Sequence, residues 1–238
     1  MMNQSLNENY SYIDENIKKI EYNVGEAKAK YRKPDDNIRI MAVTKTVDYN
    51  VVNYAASKGL TLLGENKVQE FLEKKDFYNR NYEINFIGHL QSNKIKYIIK
   101  SVSLIQSVDR IKLAEEIDRQ ALKNDITMDV LVEVNIGGEE SKSGIMKSGL
   151  EELVYRISEL KNIRLKGFMT IPPVIEPEKY FCEMQDLFND YKSRNIENTD
   201  INILSMGMSS DYVLGIKYGS NIVRIGTGLF GARNYNNK

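Results

Sequence analysis

The sequence predicts a single (β/α)8 TIM-type barrel with an extra N-terminal helix. Three observations carry this. Short β-branched apolar runs alternate with longer amphipathic stretches, about eight such runs can be picked out, and 238 residues is close to what one complete barrel takes. A doubly wound open sheet is the competing architecture. It favours fewer strands or a glycine-rich dinucleotide turn, and no GxGxxG follows the first apolar run. Composition does not shift along the chain and no linker interrupts it. Residues 1–238 are therefore expected to form one barrel domain, with 1–35 as the added helix.

The elements follow in order. Leu6–Arg32 is the added helix. Ile38–Thr44 is the first strand run, and Asp48–Lys58 follows with Val51, Val52, Ala55 and Ala56 on one face. Leu60–Gly64 and Ile84–Gly88 are the next strand runs. Val102–Val108 leads into Asp109–Lys123, where Ile111, Ala114, Ile117 and Ala121 recur at helical spacing and Asp109 is the expected N-cap. The run Asn93–Lys96 is too short for a nucleic-acid patch and reads as a solvated helix face. Met128–Ile136 is followed by the polar loop Gly137–Gly144, a connector or a mobile flap. Ser148–Leu160 carries Leu150, Leu153, Val154, Ile157 and Leu160 on one face. Arg164–Ile171 ends at Pro172, Pro173 and Pro177, which read as loop. Glu178–Arg194 is the next helix, with Phe181, Met184, Leu187, Phe188 and Tyr191. Ile201–Gly207 and Asn221–Gly226 complete the strands.

Composition narrows the function classes. Hydrophobic residues at 42% with 28% charged exclude a disordered chain. The 33 Lys+Arg balance 33 Asp+Glu, so no global field draws nucleic acid or anionic membrane. Cys182 is the one cysteine and allows neither an internal disulfide nor a thiolate zinc site. His89 is the one histidine, which excludes a multi-His metal centre. The polar N-terminus lacks a signal-peptide core and no apolar run reaches the ~18 residues of a membrane span, so a cytoplasmic protein is expected. No apolar stripe is left over once the core is filled, which predicts a monomer or weak dimer.

In such a barrel the chemistry sits at the C-terminal ends of the strands. Lys45 ends the first strand run. It is either a desolvated amine able to attack a carbonyl or a solvated lysine capping the strand. Arg224-Ile-Gly-Thr-Gly ends the last run. Gly226 and Gly228 let backbone N–H groups approach an anion, and Thr227 adds a hydroxyl. The preceding loop, Gly207–Asp211, offers Ser209 beside it. Together these loops form a candidate phosphate cradle or mere turns. Arg224, two residues before Gly226, falls on an inward strand position. Its partner is either a ligand ring nitrogen or an interior carboxylate such as Glu133. His89, after Phe86-Ile-Gly, is structural or catalytic.

Several segments together carry a resemblance. They are Met41-Ala-Val-Thr-Lys45-Thr, Gly64-Glu-Asn-Lys-Val-Gln-Glu70, Phe86-Ile-Gly-His-Leu-Gln-Ser-Asn-Lys94 and Gln106-Ser-Val-Asp109, then Val134-Asn-Ile and Glu140-Ser-Lys-Ser-Gly144. Lys166-Gly-Phe-Met-Thr-Ile-Pro172, Leu204-Ser-Met-Gly-Met-Ser-Ser-Asp211, Val223-Arg-Ile-Gly-Thr227 and Phe230-Gly231 complete the set. In this order they resemble the YggS/PROSC family of pyridoxal 5′-phosphate (PLP) homeostasis proteins. The resemblance implies a PLP-binding barrel similar to the N-terminal domain of alanine racemase. It implies that Lys45 forms a Schiff base with PLP and that Ser209, Gly226 and Thr227 bind its phosphate. Arg224 would face the pyridine nitrogen and Asn66 would line the pocket. His89 and Met169 are assigned only pocket-lining places. The chain departs from the family pattern at Ile84-Asn85, where many members carry an aromatic pair.

What this implies for function is a PLP-binding protein of intracellular PLP homeostasis, with little or no turnover of its own and no catalytic residue assigned. The expected partners are PLP itself and PLP-dependent apoenzymes, with no nucleic acid, no membrane and no metal. The alternative is a PLP-dependent amino-acid racemase or decarboxylase of fold type III. Relatives of that type draw a catalytic Tyr from a C-terminal β-domain. About a dozen residues follow Arg224-Ile-Gly-Thr, so that domain is expected to be missing. A third class is a phosphosugar-binding barrel in which Lys45 forms a sugar Schiff base.

Overall fold

The structure, a computed structural model, describes residues 10–79, 82–139 and 142–232. Its strands in chain order are β1 (Arg39–Val43), β2 (Leu62–Glu65), β3 (Glu83–Phe86), β4 (Leu104–Val108), β5 (Met128–Asn135), β6 (Ile145–Met146), β7 (Ile163–Met169), β8 (Thr199–Met208) and β9 (Ile222–Ile225). All but β6 form a closed parallel barrel, each beside its neighbour in sequence. The ring shuts where β9 pairs with β1, from Arg39 opposite Ile222 to Ala42 opposite Ile225. The expected (β/α)8 barrel is thus the observed one. The two-residue β6, which the sequence does not foretell, pairs with the end of β5. Of the loop 137–144, residues 140 and 141 lie outside the described residues.

Alternation along the strands sorts side chains into two layers. Met41, Leu62 and Ile222 cluster with Ile87 and Ile203, while Leu104, Leu131 and Met169 meet Ile203 from the other side. These fill the barrel. Their chain neighbours Ala42, Leu63, Ile105, Val130, Val132, Phe168, Val223 and Ile225 join the larger core beneath the helices.

The helices are α1 (Ser11–Tyr31), α2 (Tyr49–Ser57), α3 (Val68–Lys74), α4 (Ile95–Ile98), α5 (Ile111–Lys123), α6 (Lys147–Ser158), α7 (Pro177–Ser193), α8 (Tyr212–Lys217) and α9 (Thr227–Phe230). α1 is the added helix. It buries Ile13, Ile17, Ile20, Val24 and Ala27, a spacing of alternate fours and threes that makes one stripe. The stripe packs on α8 and α9. Residues 6–9 of its expected span lie outside the described residues. Asp48 caps α2, its carboxylate accepting from the Asn50 N–H at 2.8 Å. No helix among the described residues is long and apolar enough to cross a membrane.

Two expectations are corrected and a third is refined. Asp109 does not cap α5. Its carboxylate takes the Arg110 guanidinium at 2.5 Å, and Arg110 itself occupies the N-cap position. Pro177 is not loop but the first residue of α7, where its missing N–H costs nothing. Of Asn93–Lys96, Asn93 and Lys96 are exposed and Lys94 half-buried, as a solvated face requires, while Ile95 turns inward and is fully buried.

Gly167 marks a bulge in β7, where the register shifts against both β5 and β8. Its φ is +141°, and a Cβ there would lie 1.9 Å from the Ile203 carbonyl oxygen. Both the torsion and the space exclude a side chain. Gly167→Ala is expected to destabilise the fold by more than about 3 kcal/mol, read as a lowered urea midpoint. An unchanged midpoint would show that the bulge can relax.

Candidate functional site

β9 delivers Arg224 to the barrel interior. Ile222 lies in the interior cluster, Val223 and Ile225 in the outer core, so Arg224 turns inward with Ile222. It stands opposite Met41 of β1 and Met208 of β8. A guanidinium only 3% exposed needs its donors filled. Nη1 donates to Ser205 Oγ and Nη2 to the Thr170 carbonyl, both at 2.8 Å. Burial pulls the Arg224 pKa down to about 10, opposed by the charges of Glu133 and Asp211, so the group stays cationic at neutral pH. Glu133 therefore acts on Arg224 through the field, while Ser205 and Thr170 hold it by contact.

Directly after β9 the chain turns at Gly226 into α9. The N–H groups of Gly226 and Gly228 both point at Ser209 Oγ, at 3.3 and 3.0 Å. Ser209 comes from the loop after β8. A Cβ on Gly228 would sit 3.3 Å from that same oxygen, a tight contact that glycine avoids. Across from it, Lys45 follows β1 and Asn66 follows β2. Gly88 lets the β3 exit press against Asn66: a Cβ there would lie 2.0 Å from the Asn66 carbonyl oxygen.

These groups meet in one cavity of about 280 Å³. Lys45, Asn66, Ser209, Arg224, Gly226 and Thr227 all line it, with Val43, Ile87, Ile171 and Met208 as apolar walls. Two cations and a set of N–H and O–H donors face it, and none of the lining residues is a carboxylate. Such a wall accepts an anion with an apolar body. A smaller recess of about 170 Å³ shares Lys45, Gly226 and Thr227 and opens toward Tyr12, Asp48 and Phe230.

His89 and Met169 lie elsewhere. The His89 side chain is 55% exposed, with Nδ1 3.6 Å from Asp109. Met169 is fully buried in the barrel interior with Leu104 and Leu131. Asn85, at the position of the expected aromatic pair, is also fully buried; its Oδ1 accepts from Gln106 Nε2 at 2.7 Å. Sequence reasoning missed Ser205 and Thr170 as partners of Arg224. It also missed the buried carboxylate Glu65 behind Lys45. The signal available for Ser205 was its inward parity with Ile203, a period-two argument.

Fold and site together define a parallel barrel whose mouth is lined for a small anionic ligand. Residues 16–234 match the family model of the alanine racemase N-terminal domain. A pyridoxal phosphate homeostasis protein of Aquifex aeolicus is 45% identical over 202 residues, covering 83% of this chain and 88% of that one. The chain belongs to the pyridoxal phosphate homeostasis protein family, within the alanine racemase N-terminal-domain fold. A crystal structure of an unknown protein from Bifidobacterium adolescentis superposes with TM-score 0.88 at 32% identity, covering 93% of this chain and 95% of that one. PipY of Synechococcus elongatus PCC7942, with PLP bound, gives 0.76 at 27%, covering 87% and 100%. Alanine racemase of Corynebacterium glutamicum shares the fold at 13% identity and TM-score 0.70, over 96% of this chain and 63% of that one.

Glu133 makes the site's stability pH-dependent. Burial, together with the charge of Asp109, pushes its carboxyl up to about 7, and Arg224 pulls it only part of the way back. From about pH 4.5 to 7 the folded chain keeps a proton that the unfolded chain releases, so stability falls as pH rises through that window. Glu133→Gln is expected to remove this slope and to exceed the parent in stability above pH 8 by up to ~3 kcal/mol. Urea unfolding at pH 5 and pH 8.5 checks it; parallel pH profiles would refute it.

Proposed function

We propose that the chain binds pyridoxal 5′-phosphate at the mouth of the barrel, holds it on Lys45 as a Schiff base, and stores or hands on the cofactor with little or no turnover. The observation that carries this reading is the single cavity wall that gathers Lys45, Arg224 and the Ser209–Gly226–Thr227 cradle. The residues fit the group. Two N–H donors and a hydroxyl converge at the start of α9, which suits a phosphate, and the wall has no carboxylate to repel it. The names of the relatives and the PLP-bound PipY support the choice of cofactor.

PLP, when bound, supplies an aldehyde and an electron-withdrawing ring. Lys45, once deprotonated, would be the amine that holds the aldehyde covalently, with water as the leaving group, and a second amine could take its place. Arg224 remains charged and opposes protonation of a pyridine nitrogen brought against it, which weakens the ring as an electron sink. Asn66, Ser209, Ser210 and Thr227 complete the polar lining, and none of them titrates near neutrality. Holding is therefore favoured over racemisation or decarboxylation, which need a second proton carrier. In this reading a cytoplasmic monomer or weak dimer serves PLP-dependent apoenzymes.

Borohydride reduction of the PLP-loaded protein is expected to fix the cofactor on Lys45, and Lys45→Ala to abolish the fixed label while some non-covalent binding survives. Label on another residue would overturn the reading. Ser209→Ala and Thr227→Val should each weaken PLP retention roughly tenfold; unchanged retention would move the phosphate elsewhere. Incubation with L-amino acids in deuterium oxide should show little Cα exchange, whereas fast exchange would establish an enzyme.

A further inference from the structure

Lys45 sits in a turn whose backbone is fastened from behind. The Val47 N–H closes the turn onto the Thr44 carbonyl at 3.1 Å. Thr46, in the middle, has φ +60°. That is the left-handed region, costly for a β-branched residue by ~1–3 kcal/mol and held only where surroundings impose it. Here the surroundings are two side chains of α3. Lys74 Nζ donates to the Thr44 carbonyl at 2.9 Å and to the Val47 carbonyl at 3.3 Å. The same amine pairs with Glu70 Oε1 at 2.7 Å, and that oxygen accepts the Thr46 N–H at 2.5 Å. One ion pair thus grips a donor and two acceptors of the turn around Lys45.

The grip is itself anchored. Lys74 is 8% exposed although it is a lysine, and its amine lies 3.8 Å from the fully buried Glu65. Glu65 Oε1 accepts from the Thr44 hydroxyl at 2.7 Å and the Tyr78 hydroxyl at 2.8 Å. Burying a lysine to fill backbone carbonyls is an expensive way to finish an ordinary turn. The spacing of Glu70 and Lys74, one helical turn apart, puts both on the face of α3 that meets the β1 exit.

We propose that Lys74 and Glu70 are positioning residues for Lys45: they hold the 44–47 turn in its left-handed shape and so present the Lys45 amine to the cavity. This rests on the reading of Lys45 as the imine-forming lysine. It also explains a residue the site otherwise leaves without a purpose, since neither side chain lines the cavity.

The test separates capture from binding. Borohydride-trapped label gives the rate of PLP capture. Affinity for pyridoxamine 5′-phosphate, which has no aldehyde, reads the cavity alone. Lys74→Met is expected to slow capture roughly tenfold through misplacement of the amine, while pyridoxamine 5′-phosphate affinity changes less than about threefold. Thr46→Asn, which accepts the left-handed region readily, should recover most of the loss in the Lys74→Met background. Should Lys74→Met not fold, Glu70→Gln is measured the same way and should slow capture to a smaller extent. Normal capture in a folded variant, or a capture loss matched by equal loss of pyridoxamine 5′-phosphate and not recovered by Thr46→Asn, would overturn the proposal while leaving Lys45 in place. Label persisting in Lys45→Ala would instead bring down the Lys45 reading and this proposal with it.

Discussion

A guanidinium inside a closed barrel is the constraint around which this molecule is arranged. Left unpaired there, the charge of Arg224 would cost several kcal/mol. Ser205 and the Thr170 carbonyl remove that cost by direct hydrogen bonds, which ties the exits of β7, β8 and β9 into one rigid corner. The same corner carries the loops bearing Ser209, Gly226 and Thr227. Glu133 and Asp211 add compensating charge from further off. The upper interior is consequently polar, and it meets the apolar filling at Met41, opposite Arg224, and at Ile87, which also lines the cavity.

Much of this was legible in the sequence, for reasons that differ by residue. The strand runs were readable because a parallel barrel strand is buried on both faces and rich in Val, Ile and Leu. Lys45 and Gly226-Thr227-Gly228 were readable because sites of this fold sit where strands end. Arg224 was readable from parity with Gly226, but its contacts were not: Ser205 and Thr170 lie 19 and 54 residues away in sequence. α3 escaped notice, and α4 was read only as a short helix face, because a one- or two-turn helix gives periodicity too few residues to work on. Asp109 looked like a cap by type and place, and was diverted by its neighbour Arg110. The role of Glu65 could not be read at all, since a carboxylate at a strand end looks the same whether solvated or sealed behind Tyr78.

The site divides its duties between stiff and strained parts. Arg224 and its partners are on strands and their immediate exits, positions fixed by the barrel ladder. Lys45 is on a turn that the ladder does not hold, and the fully buried Glu65 with Lys74 and Glu70 replaces it from behind. Gly88 works by absence, letting the β3 exit come against the Asn66 backbone where any side chain would push the wall open.

The fastening of α1 bears on how the chain acquires its shape. Asn16 donates to the Leu229 carbonyl, Asn23 to the Tyr212 hydroxyl and Arg32 to the Ser220 carbonyl, contacts that span 213, 189 and 188 residues. Closing loops of that length is slow and comes late, because the entropy of joining them is lost before the contact repays it. On a ribosome, α1 emerges early and waits for α8 and α9, with its stripe of Ile13, Ile17, Ile20, Val24 and Ala27 uncovered in the meantime. The cradle of N–H groups at the start of α9 is among the last parts to be braced, so a nascent chain has its Lys45 long before the opposite wall of the cavity is finished.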